Sequence, residues 1–374
     1  MASPPKSIGL IGLSAKGSWA SRSHLSYLQS TPFYKITALQ NSSKSAAEAA
    51  ASTYSLTHVH TYDNPAALAT DPSVSIVAVS VNVPGHYESI RPALFAGKDL
   101  FVEWPLARNL ADAEELTAIA KEKGVRTLVG LQARNNPTII AAKKIVESGK
   151  LGRILGTSMY GHGAIFGSTI VPDFEYALPV ENGANILTIP FGHAVDALCF
   201  VLGEFAELSA TLANLRPELS LVGNDGKEVR KVKKTAHDHV SVTGTLVNGG
   251  GVVDVVYAGG QSRTGRSFHW EINGVHGSLV LEGKAPTMGH VQMFQPTLKF
   301  FDIEGKEENV EVEKAGDWDK GDFSFNVGRA WDAWAGKGLE KGYTVTTFED
   351  AVVRHRMVEA IYRSAEKGTR ESYL

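Results

Sequence analysis

The sequence predicts an α/β domain built on a doubly wound parallel sheet, followed by an α+β domain with a large, open, mostly antiparallel sheet. Two patterns and the chain length support this fold class. Short apolar runs alternate with helical patterns up to residue 134, which is typical of parallel strands joined by crossover helices. Extended runs with glycine turns then follow one another without such helices, as in antiparallel sheets. At 374 residues the chain is long enough for two domains.

The first part of the chain consists of alternating strand and helix patterns. The predicted strands cover 7–14, 34–41, 73–82, 99–105 and 126–134. The predicted helices cover 18–30, 43–55, 85–98, 109–124 and 136–152. The strand VSIVAVSVN is rich in β-branched residues, as expected for a strand that is covered on both faces.

The pattern changes after residue 152. The stretches ILGTSMYGHGA, HVSVTGTLVNGGGVVDVVYAGG, SFHWEINGVHGSLVLEG and TLKFFDIEG are extended, and one long helical pattern over 348–368 closes the chain. We expect a first domain at 1–134, a second at 135–346, and a C-terminal helix at 347–374 that packs back near the domain junction. In such proteins ligands bind in the cleft between the domains.

Composition and charge exclude several classes of function. The net charge of −3 does not attract a polyanion, so we expect no direct nucleic-acid partner. A single cysteine, Cys199, excludes an internal disulfide, and its apolar neighbours indicate a buried thiol. The N-terminal residues lack the pattern of a signal peptide, and no apolar run reaches the length of a membrane span. We therefore expect a cytoplasmic protein, or a nuclear one if it is regulatory.

The turn after the first strand is a candidate functional element. GLSAKG at 12–17 stands where the Rossmann fingerprint G-x-G-x-x-G brings backbone close to a pyrophosphate. The second glycine of the pattern is a serine here, and a degenerate turn of this kind also occurs as a plain strand–helix connection. Because it opens a series of strand–helix units, we predict a dinucleotide site in a Rossmann domain. Its residues are Gly12, Ser14, Ala15, Lys16 and Gly17.

The end of the second strand bears on the choice of dinucleotide. A carboxylate there would bind the ribose hydroxyls of NAD, whereas a neutral end with a nearby cation admits the 2′-phosphate of NADP. The residues are Asn41, Ser42, Ser43 and Lys44, without a carboxylate. They favour NADP, with NAD as the alternative. Ser42 or Ser43 is also a suitable N-cap for the next helix.

Three further segments follow strands of the same predicted sheet. We expect them near the nicotinamide because ligands of such sheets bind at the carboxyl ends of the strands. The residues are Val81, Asn82, His86, Glu103, Trp104, Pro105, Gln132 and Arg134. His86 alone is also typical of a hydrogen-bonding residue at a helix start. Gln132 and Arg134 are expected to point the same way on a strand, where Arg134 clamps a polar substrate or binds a carboxylate of the cleft wall.

His193 is the candidate proton carrier of the second part. It lies three residues before Asp196 in the helical pattern FGHAVDALCFVL, so both share a face and Asp196 could orient the imidazole. A buried, hydrogen-bonded core histidine is the alternative. The twelve histidines show no metal-ligand spacing with cysteines or paired carboxylates, so we predict no metal site. The G-x-S-x-G elbow of serine hydrolases is missing as well.

The stretches IGLIGLSAKG, FVEWPLA, LQARNNPTIIAAKKIVESGKLG, FGHAVDAL and INGVHGSLVLEG together resemble the glucose–fructose oxidoreductase / inositol dehydrogenase (Gfo/Idh/MocA) family. The resemblance covers nearly the whole chain. It implies an NAD(P)-binding Rossmann domain at 1–134, and a substrate domain at 135–346 whose open sheet supports a homodimer. It also implies hydride transfer to or from a sugar or polyol carbon. Two departures stand out: the family's catalytic lysine in Glu-Lys-Pro is Trp104, and its aspartate four residues before the histidine is Ile189.

These departures leave His193 as the retained proton carrier and add Tyr160, His162 and Tyr176 as further candidates for catalysis. They also resemble one branch of the family, the galactose-pathway transcriptional repressors of yeasts. The first hypothesis is an NAD(P)-dependent oxidoreductase for a sugar or a similar polyhydroxylated or cyclic substrate. The second is a catalytically silent, dinucleotide-binding repressor or sensor that binds a peptide of an activator protein. We favour the enzyme because dehydrogenases of this fold outnumber dedicated regulators.

Overall fold

The structure, a computed structural model, describes residues 4–316 and 320–374. The described residues form two compact units. The first unit comes from Met1–Gln132 and Gly316–Val352, and the second from Ala133–Ala315 and Val353–Leu374. The sequence predicts segments at 1–134, 135–346 and 347–374, whereas the structure groups residues 316–352 with the first unit.

The strands of the described chain are numbered in sequence order. In the first unit they are β1 (Lys6–Ile11), β2 (Tyr34–Gln40), β3 (His60–Tyr62), β4 (Ile76–Val79), β5 (Asp99–Glu103) and β6 (Thr127–Gly130). In the second unit they are β7 (Ile154–Gly163), β8 (Thr169–Ile170), β9 (Phe205–Ala213), β10 (Glu218–Val222), β11 (Glu228–Lys233), β12 (His239–Leu246), β13 (Val252–Gly259), β14 (Phe268–Gly274), β15 (Gly277–Gly283), β16 (Thr297–Asp302) and β17 (Glu307–Asn309).

The α-helices of the described chain follow the same numbering. They are α1 (Trp19–Ser23), α2 (Leu25–Ser30), α3 (Lys44–Thr53), α4 (Pro65–Thr70), α5 (His86–Phe95), α6 (Leu110–Lys123), α7 (Pro137–Glu147), α8 (Gly192–Leu202), α9 (Ser324–Trp334) and α10 (Phe348–Lys367). A π-helical turn, Leu187–Phe191, leads directly into α8.

Parallel strands form the sheet of the first unit. Within the described residues their order is β3–β2–β1–β4–β5–β6, so the strand order reverses between β1 and β4. Successive residues of β4 are buried in two different clusters, with Ile76 and Ala78 in one and Val77 and Val79 in the other. Both faces are therefore covered, and the predicted doubly wound parallel sheet is confirmed.

Helix α9 explains why the segment before α10 belongs to the first unit. Its Trp331 is fully buried and packs against Phe101 and Tyr34, with ring centroids 4.6 Å and 4.8 Å away. The next segment continues these contacts, since the amide of Val129 in β6 donates to the carbonyl of Thr346 at 2.7 Å. Neither contact is visible as a local pattern, because the partners lie far apart in sequence.

A mixed sheet dominates the second unit. Its strand order over the described residues is β17–β16–β15–β14–β7–β13–β12–β9; the pair β7 and β13 is parallel and the other pairs are antiparallel. The predicted large, mostly antiparallel sheet is confirmed. In β7, Met159 and Gly161 are buried while Tyr160 and His162 are half-buried, so the sheet has one covered and one more open face. Strands β8, β10 and β11 form a separate small sheet.

Two predicted elements differ in the structure. The strand predicted at 126–134 ends at Gly130, and Gln132–Asn135 form a 3₁₀ turn, so Gln132 and Arg134 do not lie on a strand where they would point the same way. The helix predicted at 18–30 is divided at His24 into α1 and α2. His24 is buried, and its side chain is held by distant partners, which are described below.

One segment has the length and composition of a membrane span. It covers Val180–Leu202, yet 89% of its most apolar window is buried inside the structure. This segment includes the π-helical turn and α8, and it belongs to the core of the second unit.

Candidate functional site

Two glycines shape the turn after β1. Gly12 has φ +98°, and a Cβ atom at this position would clash with the carbonyl oxygen of Ser80 at the end of β4. Gly17 has φ +92°, and its added Cβ would meet no atom within 4 Å. Because L side chains rarely adopt these angles, both positions favour glycine. Gly12 in addition needs the space.

Local hydrogen bonds hold the residues between the two glycines. The amide of Lys16 donates to the hydroxyl of Ser14 at 3.2 Å, and the amide of Ser14 donates to the hydroxyl of Ser18 at 3.3 Å. Ala15 is half-buried against the core beneath the turn, and the Lys16 side chain is exposed. The serine in the second glycine position therefore stabilises the turn itself.

The segment after β2 is divided between structural and exposed side chains. The amide group of Asn41 donates to the carbonyl of Leu13 at 2.8 Å and joins this segment to the glycine turn. Ser43 is the N-cap of α3, because its hydroxyl accepts from the amide of Ala46 at 3.1 Å. Ser42 and Lys44 are exposed. Their binding to a 2′-phosphate stays a prediction.

His86 joins the two turns that follow β4 and β5. Its Nδ1 lies 2.8 Å from the carbonyl oxygen of Pro105, and its Nε2 lies 3.1 Å from that of Val81. The Trp104–Pro105 peptide bond is cis. Burial lowers the pKa of His86. The ring thus acts here as the hydrogen-bonding residue of a helix start, while Asn82 beside it is exposed.

Glu103 is held inside the first unit. The indole N–H of Trp331 donates to Nδ1 of His24 at 3.1 Å, so the hydrogen of the neutral imidazole is on Nε2. Nε2 then donates to a carboxylate oxygen of Glu103 at 2.6 Å. The other carboxylate oxygen would lie 2.8 Å from a Cβ added to Gly130. The sequence analysis missed His24 and Trp331, because both are remote from Glu103 in the chain.

Trp104 belongs to the hydrophobic core of the first unit. It is 5% exposed and is part of the same cluster as Leu106, Leu131 and Phe348. Its indole therefore fills the core next to the turn and presents little surface to a ligand.

Two unpartnered polar atoms lie at the carboxyl ends of strands in the first unit. The hydroxyl of Ser80, which follows β4, is buried and has no hydrogen-bond partner among the described residues. The same holds for Oε1 of Gln132, which is 1% exposed and follows β6. Buried polar atoms of this kind are rare and require a partner. Together with the packed backbone at Gly12, they fit the hydroxyl and amide groups of a dinucleotide. The sequence analysis missed Ser80.

His193 lies on α8 and is 4% exposed. Burial lowers its pKa to about 3, although the nearby charge of Asp196 acts in the opposite direction. Its Nδ1 has no hydrogen-bond partner among the described residues. The imidazole is therefore neutral near pH 7, and it is not the satisfied core histidine that the sequence leaves as an alternative.

The carboxylate of Asp196 forms hydrogen bonds with two arginines and none with His193. Arg134 donates to both carboxylate oxygens at 2.8 Å, and Nε of Arg354 lies 3.3 Å from one of them. Burial would raise the pKa of Asp196, but the two guanidinium groups outweigh it and hold the pKa below its usual value. Asp196 therefore does not orient the imidazole by a hydrogen bond, and Arg134 binds a carboxylate, the second of its two expected roles.

Arg354, which the sequence analysis missed, also forms two hydrogen bonds with Glu204, at 2.7 Å and 3.1 Å. It is fully buried on α10. On α10 it lies on the same face as the buried residues Ala351, Val358 and Ile361. A charged residue on an otherwise apolar helix face is the sequence signal that could have predicted a buried arginine here.

Tyr160 and His162 are hydrogen-bonded to each other on β7. Nδ1 of His162 faces the carbonyl of Gly260 at 3.0 Å and must donate, so Nε2 accepts from the hydroxyl of Tyr160 at 2.8 Å. These side chains alternate in β7 with Gly161, whose added Cβ would clash with the ring of Tyr257 on the covered face. Tyr160 and His162 thus lie on the more open face.

Tyr176 and Ile189 complete the predicted positions. Tyr176 lies in the 3₁₀ turn Pro172–Ala177, 6.0 Å from Phe174 between ring centroids, and burial raises its pKa. Ile189 is half-buried, whereas the other residues of 183–199 are buried. The segment before His193 therefore leaves one apolar residue partly exposed. No three histidine, cysteine or acidic side chains form a metal-binding group within residues 4–316 and 320–374.

Two family models match the chain. Residues 6–131 match the model of an oxidoreductase family with an NAD-binding Rossmann fold, Gfo/Idh/MocA. Residues 137–283 match the model of the C-terminal domain of Gal80p. The first match covers the glycine turn, and the second covers the π-helical turn and α8.

Curated relatives include both enzymes and regulators. The chain is 36% identical to the dehydrogenase aclE of Aspergillus oryzae, over 98% of both chains. It is 31% identical to the galactose/lactose metabolism regulatory protein GAL80 of Saccharomyces cerevisiae, over 75% of this chain and 67% of that protein.

Solved structures show the same two kinds of relative. The transcriptional regulator Gal80p from Kluyveromyces lactis has a TM-score of 0.86 at 27% identity, over 99% of this chain and 92% of that one. A levoglucosan dehydrogenase in complex with NADH and L-sorbose has a TM-score of 0.76 at 20% identity, with full coverage of both chains. The latter similarity concerns the fold alone.

Proposed function

Because the chain belongs to the Gfo/Idh/MocA oxidoreductase family with an NAD-binding Rossmann fold, we propose that it is a nicotinamide-dependent oxidoreductase. Its substrate is a sugar or a similar polyhydroxylated or cyclic compound. The observation that carries the proposal is the turn at Gly12, where only glycine fits against Ser80 and a buried hydroxyl has no partner. This arrangement supports a nucleotide site, where a close turn of this kind lets backbone approach a pyrophosphate.

Different residues of the first unit bind different parts of the dinucleotide. The backbone of 12–17 accommodates the pyrophosphate, and Ser80 and Gln132 offer unpaired polar atoms at the carboxyl edge of the sheet. Ser42 and Lys44 are exposed beside the cap of α3 and favour NADP, with NAD as the alternative. When bound, the dinucleotide supplies hydride exchange at its nicotinamide ring.

His193 is the proton carrier of the proposed reaction. Its ring is neutral near pH 7, so one nitrogen has a lone pair that can accept the proton of a substrate hydroxyl. Asp196 contributes indirectly, because its ion pairs with Arg134 and Arg354 fix α8 and hence the position of His193. Trp104 supplies no cation, so the substrate oxygen lacks the polarising lysine of the family.

The test is a titration followed by a substrate screen. Fluorescence titration with NADPH and NADH should show tighter binding of NADPH, and Lys44→Ala should weaken NADPH more than NADH. Sugars, polyols and cyclic ketones are then screened by absorbance of the reduced nicotinamide, and His193→Ala should abolish any turnover. Absence of dinucleotide binding would refute the proposal, and equal effects of Lys44→Ala on both dinucleotides would remove the case for NADP.

A silent regulator is the second candidate function. Trp104 is built into the core in place of the catalytic lysine, and Ile189 replaces the aspartate, which favours loss of turnover. In this case the protein binds a dinucleotide as a sensor and a peptide of an activator protein, and it acts in the cytoplasm or the nucleus. Either function is compatible with a homodimer through the more open face of the large sheet. Tight dinucleotide binding without turnover on any screened substrate would decide for the regulator.

A further inference from the structure

The turn after β1 uses most of its own backbone amides. The amide of Ser14 donates to the hydroxyl of Ser18 at 3.3 Å, and that of Lys16 donates to the hydroxyl of Ser14 at 3.2 Å. The amide of Gly17 donates to the carbonyl of Ser14 at 3.1 Å. Within residues 4–316 and 320–374, the amide of Ala15 has no acceptor. Of the four amides from Ser14 to Gly17, it is the one that is available to a ligand.

Tyr54 fixes the direction in which this amide points. From the end of α3 its hydroxyl donates to the carbonyl of Ser14 at 2.8 Å. The carbonyl of Ser14 and the amide of Ala15 belong to one planar, trans peptide unit, so the C=O and N–H bonds point in opposite directions. Because the carbonyl is held towards Tyr54, the N–H of Ala15 points away from Tyr54.

Asn41 holds the preceding peptide unit in the same way. Its side-chain amide donates to the carbonyl of Leu13 at 2.8 Å. Asn41 is fixed in turn, since its backbone amide donates to the carbonyl of Tyr62 at 3.2 Å and its carbonyl accepts from Nε2 of Gln40 at 2.6 Å. Two successive carbonyls of the turn are therefore bound by side chains from other segments. The protein itself sets the position of the Ala15 amide.

The backbone of Tyr54 is held at the end of α3. Its amide donates to the carbonyl of Ala50 at 3.1 Å, and its carbonyl accepts from Nε2 of Gln29 at 3.0 Å. The side chains of Tyr54 and Ala15 pack against the same hydrophobic cluster. Helix α3 thus has Lys44, the proposed contact of the 2′-phosphate, at its beginning and Tyr54 at its end.

A backbone amide is a suitable donor to a phosphate oxygen, and hydrogen bonds to a charged acceptor are among the stronger ones. We propose that Tyr54 is a positioning residue of the dinucleotide site, which directs the amide of Ala15 to an oxygen of the pyrophosphate. This inference rests on the dinucleotide binding proposed above, and it applies to the enzyme and to the regulator alike. The sequence analysis did not select Tyr54, because its contact with Ser14 joins positions 40 residues apart.

The first test examines the turn without a ligand. Tyr54→Phe removes the hydroxyl and keeps the ring. Amide NMR should show shifted signals of Ala15 and Gly17, and hydrogen exchange of Gly17, which shares the Ser14 carbonyl, should be about 5-fold faster or more. Tyr34→Phe is the matched control, because its hydroxyl also donates to a backbone carbonyl of the first unit, that of Trp331 at 3.0 Å. Unchanged signals in Tyr54→Phe, or an equal change in the control, would overturn the inference.

The second test separates the pyrophosphate from the rest of the dinucleotide. Calorimetric titrations use NADPH, ADP-ribose, which has the pyrophosphate without the 2′-phosphate, and adenosine 2′-monophosphate, which has the 2′-phosphate without the pyrophosphate. Tyr54→Phe should raise Kd about tenfold for the first two, as expected for one hydrogen bond to a charged group. Kd for adenosine 2′-monophosphate should stay unchanged. Equal losses for all three would show that Tyr54 merely supports α3 with its Lys44, and they would overturn the inference.

Failure of this inference can be distinguished from failure of the proposed function. If the wild type binds NADPH and ADP-ribose and Tyr54→Phe binds them with the same Kd, the inference alone is overturned. Binding that is weakened in Tyr54→Phe but unchanged in Tyr34→Phe supports it, even where no substrate turns over and the oxidoreductase function is contradicted. A wild type that binds neither NADPH nor ADP-ribose would overturn both.

Discussion

Gly12 and Gly17 both adopt a positive φ, but only Gly12 is packed against backbone. Gly12→Ala therefore adds a clash with the carbonyl of Ser80 to the strain of the dihedral angle, which itself costs about 1–3 kcal/mol. We expect this variant to lower the urea midpoint and to abolish dinucleotide binding. Gly17→Ala is the matched control, since it has the strain without the clash. Equal effects of the two variants would show that close packing at Gly12 does not matter.

Glu103 illustrates what a single residue can and cannot reveal in the sequence. Its place after a strand, before Trp104 and Pro105, predicts a turn at the carboxyl edge of the sheet, and the structure has one there. Its partner His24 lies 79 positions away in the sequence, and Trp331 on α9 lies further still. A local pattern cannot predict such pairs, because tertiary packing alone brings them together. The prediction that Glu103 contacts the cofactor stays untested, although its carboxylate already forms a hydrogen bond with His24.

At the scale of elements, strand and helix periodicity predicts most of the first unit. Strand β4 and helix α6 lie where their apolar patterns place them. The short elements β3 and α4 are missed because three to six residues carry too little periodicity. The end of β6 is misplaced because LQAR suits either a strand or a turn, and the turn forms where Arg134 reaches Asp196. The candidate site shows the same difference. The glycine turn at 12–17 is a local pattern and could be predicted, whereas the ion pairs of Arg134 and Arg354 with Asp196 join distant parts of the chain and could not.

Helix α8 depends on the buried ion pairs that hold it against α10. Arg354→Met removes one partner of Asp196, which keeps Arg134, and the guanidinium partner of Glu204, which keeps the Tyr373 hydroxyl. Breaking a buried pair by removing one member costs about 3–5 kcal/mol where the remaining charge is left uncompensated. Because both carboxylates keep a partner, chemical unfolding should show a loss below that range but above that of an exposed pair. Arg370→Ala is the control, because its pair with Glu207 is exposed and contributes about 1 kcal/mol or less.

The loss in Arg354→Met should also depend on pH. The arginines hold the pKa of Asp196 below its usual 3.8, so the ion pairs stabilise the folded state above that pH. Their contribution disappears as the pH falls through the lowered pKa of the folded state. The difference in unfolding free energy between wild type and variant should therefore be largest near neutral pH and shrink in acid. A difference that grew below pH 3.8 would contradict the assignment.

At the scale of the whole molecule, each unit contains one of the two departures from the family pattern that the sequence analysis named. The first unit has Trp104 in its core, and the second has Ile189 half-buried before His193. The retained parts are the glycine turn in the first unit and His193 in the second. The proposed function therefore rests on a dinucleotide site in the first unit and on His193 in the second, while Trp104 and Ile189 are apolar. Both the dehydrogenase and the regulator among its relatives are consistent with this combination.

The substitution Trp104→Lys introduces the lysine of the family's Glu-Lys-Pro pattern. It tests whether the indole is needed for the stability of the core or only replaces a catalytic side chain. Trp104→Lys removes a buried indole, for which truncation to alanine typically costs about 3–5 kcal/mol. It also places an unpaired ammonium group among Leu106, Leu131 and Phe348, which adds a desolvation penalty. We expect a strongly lowered melting temperature and no gain of turnover, even when Ile189→Asp is added. Trp104→Phe, which keeps the position aromatic, should lose far less stability. If Trp104→Lys folded as stably as the wild type and gained activity, the indole would be a replaced catalytic position and not a structural part of the first unit.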